Sequence, residues 1–221
     1  YQTDVGTDDE DDQEKDSKGS AEPEELAVDG KVGIIEFLTL VMNLSLTYRK
    51  ITFALFDNPK LDRRIRNLNN ILSKPSYIFL MHLLGSERHS LKEKIEVLKY
   101  IETLMLRRHI CEERTNENDT IFAVMVPMID RADILALFRR MVDENEYMPP
   151  DNEFVERFPR HEFKGRLVDR AKYVLETIEY HIRGNTDELV VASSGEVELE
   201  HIIPQTISTK KSKDEFGDWQ E

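Results

Sequence analysis

The chain has 221 residues, 39% apolar and 33% charged, enough apolar side chain for a real core under a charged surface. Its net charge is −14, but residues 1–26 hold eleven acids against Lys15 and Lys18 and carry −9 of it, leaving −5 for the other 195 residues. An acidic total suits a phosphate backbone badly, whereas a near-balanced remainder is far less hostile to DNA. The single cysteine, Cys111, excludes an internal disulfide framework and a cysteine-built zinc site, and it fits a reducing, cytoplasmic setting. The chain opens at Tyr1 on an acidic stretch without the basic and apolar pattern of a cleavable leader, and it reads as a fragment.

Residues 1–26 are almost free of large apolar side chains and are expected to be disordered. A helical domain is expected over residues 27–184. From Lys31 on, Ile34, Ile35, Leu38, Val41, Met42 and Ser45 recur at spacings of three and four. The apolar run from Val32 to Leu46 is shorter than the ~20 residues a spanning helix needs. It therefore reads as a buried core helix, and no membrane partner is expected. Asn58-Pro59 is read as the end of this helix.

A second helix is expected from Leu61 to Leu72, and a short apolar one from Pro75 to Leu84, stopped by Gly85-Ser86. Ser90 with Glu93 three residues later is a capping-box pattern, opening a helix whose stripe is Leu91, Ile95, Leu98, Ile101 and Leu104 or Met105, continuing towards Ile110. Thr115 to Asn118 reads as a polar turn. Helices are expected over Phe122–Ile129 and Ile134–Met141, with a shorter piece around Phe154 beyond the break at Pro149-Pro150. A long amphipathic helix follows from Gly165 to Ile182, ended by Gly184-Asn185. After that the period changes. Residues 188–192 are β-prone, Ser193-Ser194-Gly195 is a turn, and Val197 and Leu199 alternate with glutamates. Neither an internal repeat nor a Gly-rich phosphate loop is present in the sequence.

The chemically informative segment is Val197-Glu198-Leu199-Glu200-His201-Ile202-Ile203-Pro204-Gln205. An imidazole and a carboxylate stand side by side at the end of an expected strand, and the proline turns the chain out of a ladder. Histidine titrates near neutral pH and can take a proton from water. Glu200 offers a hard oxygen ligand of the kind Mg²⁺ or Mn²⁺ takes. Lys210, Lys211 and Lys213 are candidates for steering DNA, with a solvated loop as the plainer reading. Arg107, Arg108 and His109 are candidates for touching phosphate, set against the plainer reading of a solvated helix end whose cations suit the dipole. Cys111 reads as a small buried apolar residue, and His82, His89, His161 and His181 as structural or exposed.

Leu199-Glu200-His201-Ile202-Ile203-Pro204-Gln205 resembles the motif that opens the HNH, or His-Me-finger, nuclease domain of GmrSD-type modification-dependent restriction endonucleases. Tyr100 to Cys111, followed by Thr115-Asn116, is similar to that family's helix ending in paired arginines, a cysteine and then Thr-Asn. Phe154 to Phe158 with the helix over residues 166–182 is a softer match, and the resemblance covers about residues 90–210. It implies a mostly α fold: a multi-helix bundle, then in residues 185–221 the first strand or strands of a ββα-metal nuclease domain that is incomplete here. It implies His201 as general base, Glu200 as a candidate metal ligand, Mg²⁺ or Mn²⁺ as cofactor, and DNA, modified or from phage, as substrate. An NTP would be bound by an upstream domain outside this chain. On this reading the fragment alone does not cleave DNA. The competing reading is a helical interaction or regulatory module, forming a homo-oligomer through its helical domain and carrying an inert HNH remnant.

Overall fold

The computed structural model describes residues 24–183 and 213–214, giving only the backbone of 24–32 and of 166. The expected hairpin of residues 187–200, and with it the start of a nuclease domain, lies outside the described residues. Those described are mostly helical: α1 (Glu24–Phe53), α2 (Pro59–Asn70), α3 (Tyr77–Gly85), α4 (Leu91–Ile110), α5 (Thr115–Met125), α6 (Ile134–Glu144), α7 (Asp151–Arg157) and α8 (Val168–Arg183). Short 3-10 turns precede α3 and α8 and follow α5 and α7. None of the described helices is long and apolar enough to cross a membrane.

The chain divides at residues 41 and 42, inside α1. In the first unit α1 already begins at Glu24, three residues within the stretch expected to be disordered. Its apolar side chains do not form the buried core helix read from the sequence. Ile34, Ile35, Phe37 and Leu38 are each about 60% exposed. Apolar content marks a surface that gains by being covered, without naming the cover.

In the second unit α4 is central. It packs against α2, α6 and α7, while α2 also meets α8 and α3 meets α5. Most of the stripe expected on α4 enters the core: Leu98, Ile101, Leu104 and Met105 are fully buried, together with Ile65 and Leu68 of α2 and Phe79 and Leu83 of α3, whereas Leu91 at its start is exposed and Ile95 half-buried. Phe138 of α6 makes edge contacts with Phe79, Tyr100 and Phe122, at 5.5–6.0 Å between ring centres. The end of α1 joins this core through buried Ile51, whose carbonyl accepts from Asn69 Nδ2 at 3.1 Å.

Two helix starts follow from local chemistry. Ser90 Oγ accepts from the Glu93 amide at 3.3 Å, and Glu93 Oε2 accepts from the Ser90 amide at 2.8 Å, which completes the capping box read in the sequence. Replacing Ser90 by alanine is expected to cost about 1 kcal/mol of stability, measurable by urea unfolding; no change would show that the box contributes nothing here. Asn58-Pro59 opens α2 rather than closing α1, because Asn58 Oδ1 accepts from the Leu61 amide at 3.1 Å and proline occupies the first helical position.

The helix ends depart further from expectation. α1, α2, α4 and α6 each finish with a left-handed residue that is not glycine: Ala54, Leu72, Glu112 and Glu146, with φ between 51° and 61°. In each case the next amide donates back to the carbonyl five residues earlier: Leu55 to Lys50, Ser73 to Leu68, Glu113 to Arg108, Tyr147 to Val142. A β-carbon in that region costs about 1 kcal/mol, so the closing hydrogen bonds outweigh a standing strain. At the exposed Glu146, substitution by glycine is expected to stabilise the chain by about 0.5–1 kcal/mol, read as a higher midpoint of thermal unfolding. A lower midpoint would remove strain as the description of this turn.

Candidate functional site

Glu200, His201, Lys210 and Lys211 lie outside the described residues, so the structure neither assembles nor separates them. Lys213 is described and exposed. Among the described residues no group of three or more His, Cys, Asp or Glu is arranged to hold a metal ion.

The described candidates, Arg107 and Arg108, sit in the last turn of α4. The plainer reading of both as a solvated helix end fails for Arg108, which is only 2% exposed. Its Nε donates to Asn118 Oδ1 at 2.8 Å and its Nη1 to the Tyr147 carbonyl at 2.7 Å. Its Nη2 donates to the Arg114 carbonyl at 3.2 Å and to Glu117 Oε2 at 2.8 Å. The guanidinium thus joins α4 to the first turn of α5 and to the segment after α6. Few donors are left for a phosphate, and the position is closed to one. This network also explains why Thr115–Asn118 is the first turn of α5 rather than a loop: Asn118 is buried and held by Arg108. Arg107 is more accessible, and its guanidinium is tied to the Pro149 carbonyl at 3.1 Å and to the exposed Asp151 carboxylate. Cys111 is buried at the cap of α4 as expected, and burial, foremost, pushes its thiol pKa up, away from a reactive thiolate.

A second polar constellation was not singled out in the sequence. Glu102 of α4 is 3% exposed. Its Oε2 accepts from Arg64 Nη1 and Asn67 Nδ2 of α2, both at 3.0 Å, and from the Tyr173 hydroxyl of α8 at 3.3 Å. Burial raises the Glu102 pKa, opposed first by the charge of Arg64 and then by the hydrogen bonds. Burial, followed by the Glu102 charge, raises that of Tyr173. The signal was present: Glu102 falls between Leu98 and Met105 on the apolar face of α4.

A groove of about 730 Å³ lies between the first half of α4 and α6. Lys92, Arg139 and Arg140 line it together with Glu93, Glu96, Asp133, Asp143 and Glu144, so both signs of charge face the groove, with acids in excess. The chain matches no family model, no curated protein and no solved structure.

Proposed function

We propose that this chain is the helical body and the opening of the nuclease domain of a metal-dependent HNH-type DNA endonuclease, acting in the cytoplasm on modified or foreign DNA. The observation that carries the reading is the segment Leu199 to Gln205, in which His201 stands beside Glu200 and before Pro204. His201 takes the proton from the attacking water. Glu200 belongs to the class of oxygen ligand that Mg²⁺ or Mn²⁺ prefers, and such a cation supplies neutralisation of charge on the scissile phosphate. A local feature of the helical body supports the reading: α4 ends in Arg107-Arg108-His109-Ile110, Cys111 caps it, and Thr115-Asn116 opens the next helix. The test is DNA cleavage by the full-length protein and by His201→Ala, on modified and unmodified DNA, with Mg²⁺ and NTP. Loss of cleavage with unchanged thermal unfolding is the expected result; equal cleavage by the two removes His201 from the chemistry.

One observation favours a second reading, an interaction module that pairs with a second copy of itself. Within the first unit the exposed apolar residues Ile34, Phe37 and Leu38 recur at spacings of three and four, which suits a helical seam with a second copy. Sedimentation of the full chain and of Leu38→Glu separates the cases: a dimer lost in the variant supports pairing, and a monomer in both rejects it.

A further inference from the structure

The apolar side of α8 is longer than the part of it that the other described helices cover. At about 100° per residue, Ala171, Val174, Leu175, Ile178 and Ile182 fall within one arc of about 100°. Ala171 and Val174, in the first turns, are buried. Leu175, Ile178 and Ile182 are 53%, 42% and 73% exposed. The difference runs along the axis and not around it, so rolling the helix would not cover the second group without disturbing the first. Glu176 and Tyr180 lie on the opposite side of the helix, and Arg63 of α2 engages both. Its guanidinium stands 3.8 Å from the centre of the Tyr180 ring and 3.7 Å from the Glu176 carboxylate. The second half of α8 is thus held from its polar side, and its apolar side is largely open among the described residues.

Single exposed apolar residues are ordinary, whereas three on one face mark a surface that gains by being covered. The chain itself supplies the nearest cover. α8 ends at Arg183, and after Gly184-Asn185-Thr186-Asp187 comes Glu188 with the run Leu189-Val190-Val191-Ala192, followed by Val197, Leu199, Ile202 and Ile203. Residues 184–187 can span up to about 14 Å, and Leu175 lies only about 10 Å back along the axis from Ile182. The run is therefore long enough to return over the whole face. Its attachment at Arg183 also gives it an effective concentration of about millimolar order, which a separate partner would have to exceed.

We propose that the Leu175–Ile178–Ile182 face of α8 is the seat of residues 188–203 of the same chain, so that the segment carrying Glu200 and His201 is docked on the helical body and not carried on a free linker. α8 then fixes where that pair stands relative to the body. The docking is a matter of apolar packing, and it holds whether or not His201 performs chemistry.

The test carries a photoreactive side chain on the full chain, as Ile178→p-benzoylphenylalanine. An equal mixture of ¹⁴N- and ¹⁵N-labelled protein is irradiated, and the crosslinked peptides are mapped by mass spectrometry. Crosslinks to residues 188–203 carrying the same isotope label are expected. Leu175→p-benzoylphenylalanine is a second probe, and both positions are exposed enough for folding not to be at issue. Crosslinks between the two labels would assign the face to a second copy, and crosslinks to neither copy's 188–203 would leave it bare; either result overturns the proposal. Hydrogen exchange gives an independent reading. In Ile178→Glu, residues 188–203 are expected to exchange about tenfold faster while α4 keeps its rate, and an unchanged rate in 188–203 overturns the proposal as well. His201→Ala should leave crosslinks and exchange as they are, so the docking and the nuclease reading fail separately.

Discussion

Replacing Arg108 by alanine is expected to destabilise the second unit by about 3–5 kcal/mol. The substitution strips the donor from the buried Asn118 Oδ1 and from three part-buried acceptors, the Tyr147 and Arg114 carbonyls and the Glu117 carboxylate. A buried acceptor left alone costs about 1–3 kcal/mol, and the three part-buried acceptors add to the loss at Asn118. The guanidinium also lies over the Tyr147 ring, 5.6 Å from its centre, and that contact is lost too. Lysine should rescue little: a single ammonium has three donors on one atom and cannot span acceptors on α5 and on the segment after α6. Denaturant unfolding of Arg108→Ala and Arg108→Lys decides the matter. A loss below about 1 kcal/mol in the alanine variant would mean that the residue behaves as a surface cation.

Acidification is the second large effect. Burial, ahead of the nearby charge of Arg170, lowers the His109 pKa to about 4. The His161 pKa is lowered as well, by burial and then by Arg170. An unfolded histidine takes up its proton near 6.5. Between those values the unfolded chain binds more protons than the folded one, so stability is fully present above about pH 6.5 and is lost as pH falls towards 4. Glu102 acts in the opposite sense: its raised pKa gives stability at low pH that is lost as pH rises above the ordinary carboxylate range. The two partly offset each other in the wild-type curve, so the histidine effect is best read by difference. Relative to His109→Gln, the wild-type chain is expected to lose about 2–3 kcal/mol between pH 7 and 4.5. Chemical denaturation of both proteins across that range measures it. Parallel curves would mean that His109 is protonated as easily folded as unfolded.

What the sequence revealed and what it concealed divide along physical lines. The Ser90–Glu93 box and the middle of the α4 stripe are local patterns, set by spacing within a few residues, and they are found where spacing puts them, whereas on α8 the same spacing puts only Ala171 and Val174 in the core and leaves Leu175, Ile178 and Ile182 exposed. The ends of α2, α4 and α6 carry no glycine, so the usual signature of a left-handed stop is missing there. Glu102 and the buried Arg170 do not stand out in the sequence, and Arg108 reads there as a phosphate contact or a solvated helix end, because a charged residue is solvated by default and only tertiary partners say otherwise. One test would have found all three: each is flanked at three or four residues by the apolar side of its own helix, Arg108 by Leu104 and Met105, Glu102 by Leu98 and Met105, Arg170 by Leu167 and Val174. The apolar face of α1 shows the reverse error, since periodicity fixes which residues share a face without fixing what covers it. Glu200 and His201, on which the nuclease proposal rests, stand out in the sequence because residue identity carries them.

The Glu102 carboxylate ties three helices at one oxygen. Arg64 and Asn67 reach it from α2, and Tyr173 reaches it from α8. A helix turning by a single residue sweeps its side chains through about 100°, which would carry any of these donors out of range. Slippage of one helix alone would therefore strand a half-solvated anion in an apolar interior. The carboxylate therefore fixes the registers of α2, α4 and α8 to one another at a single point.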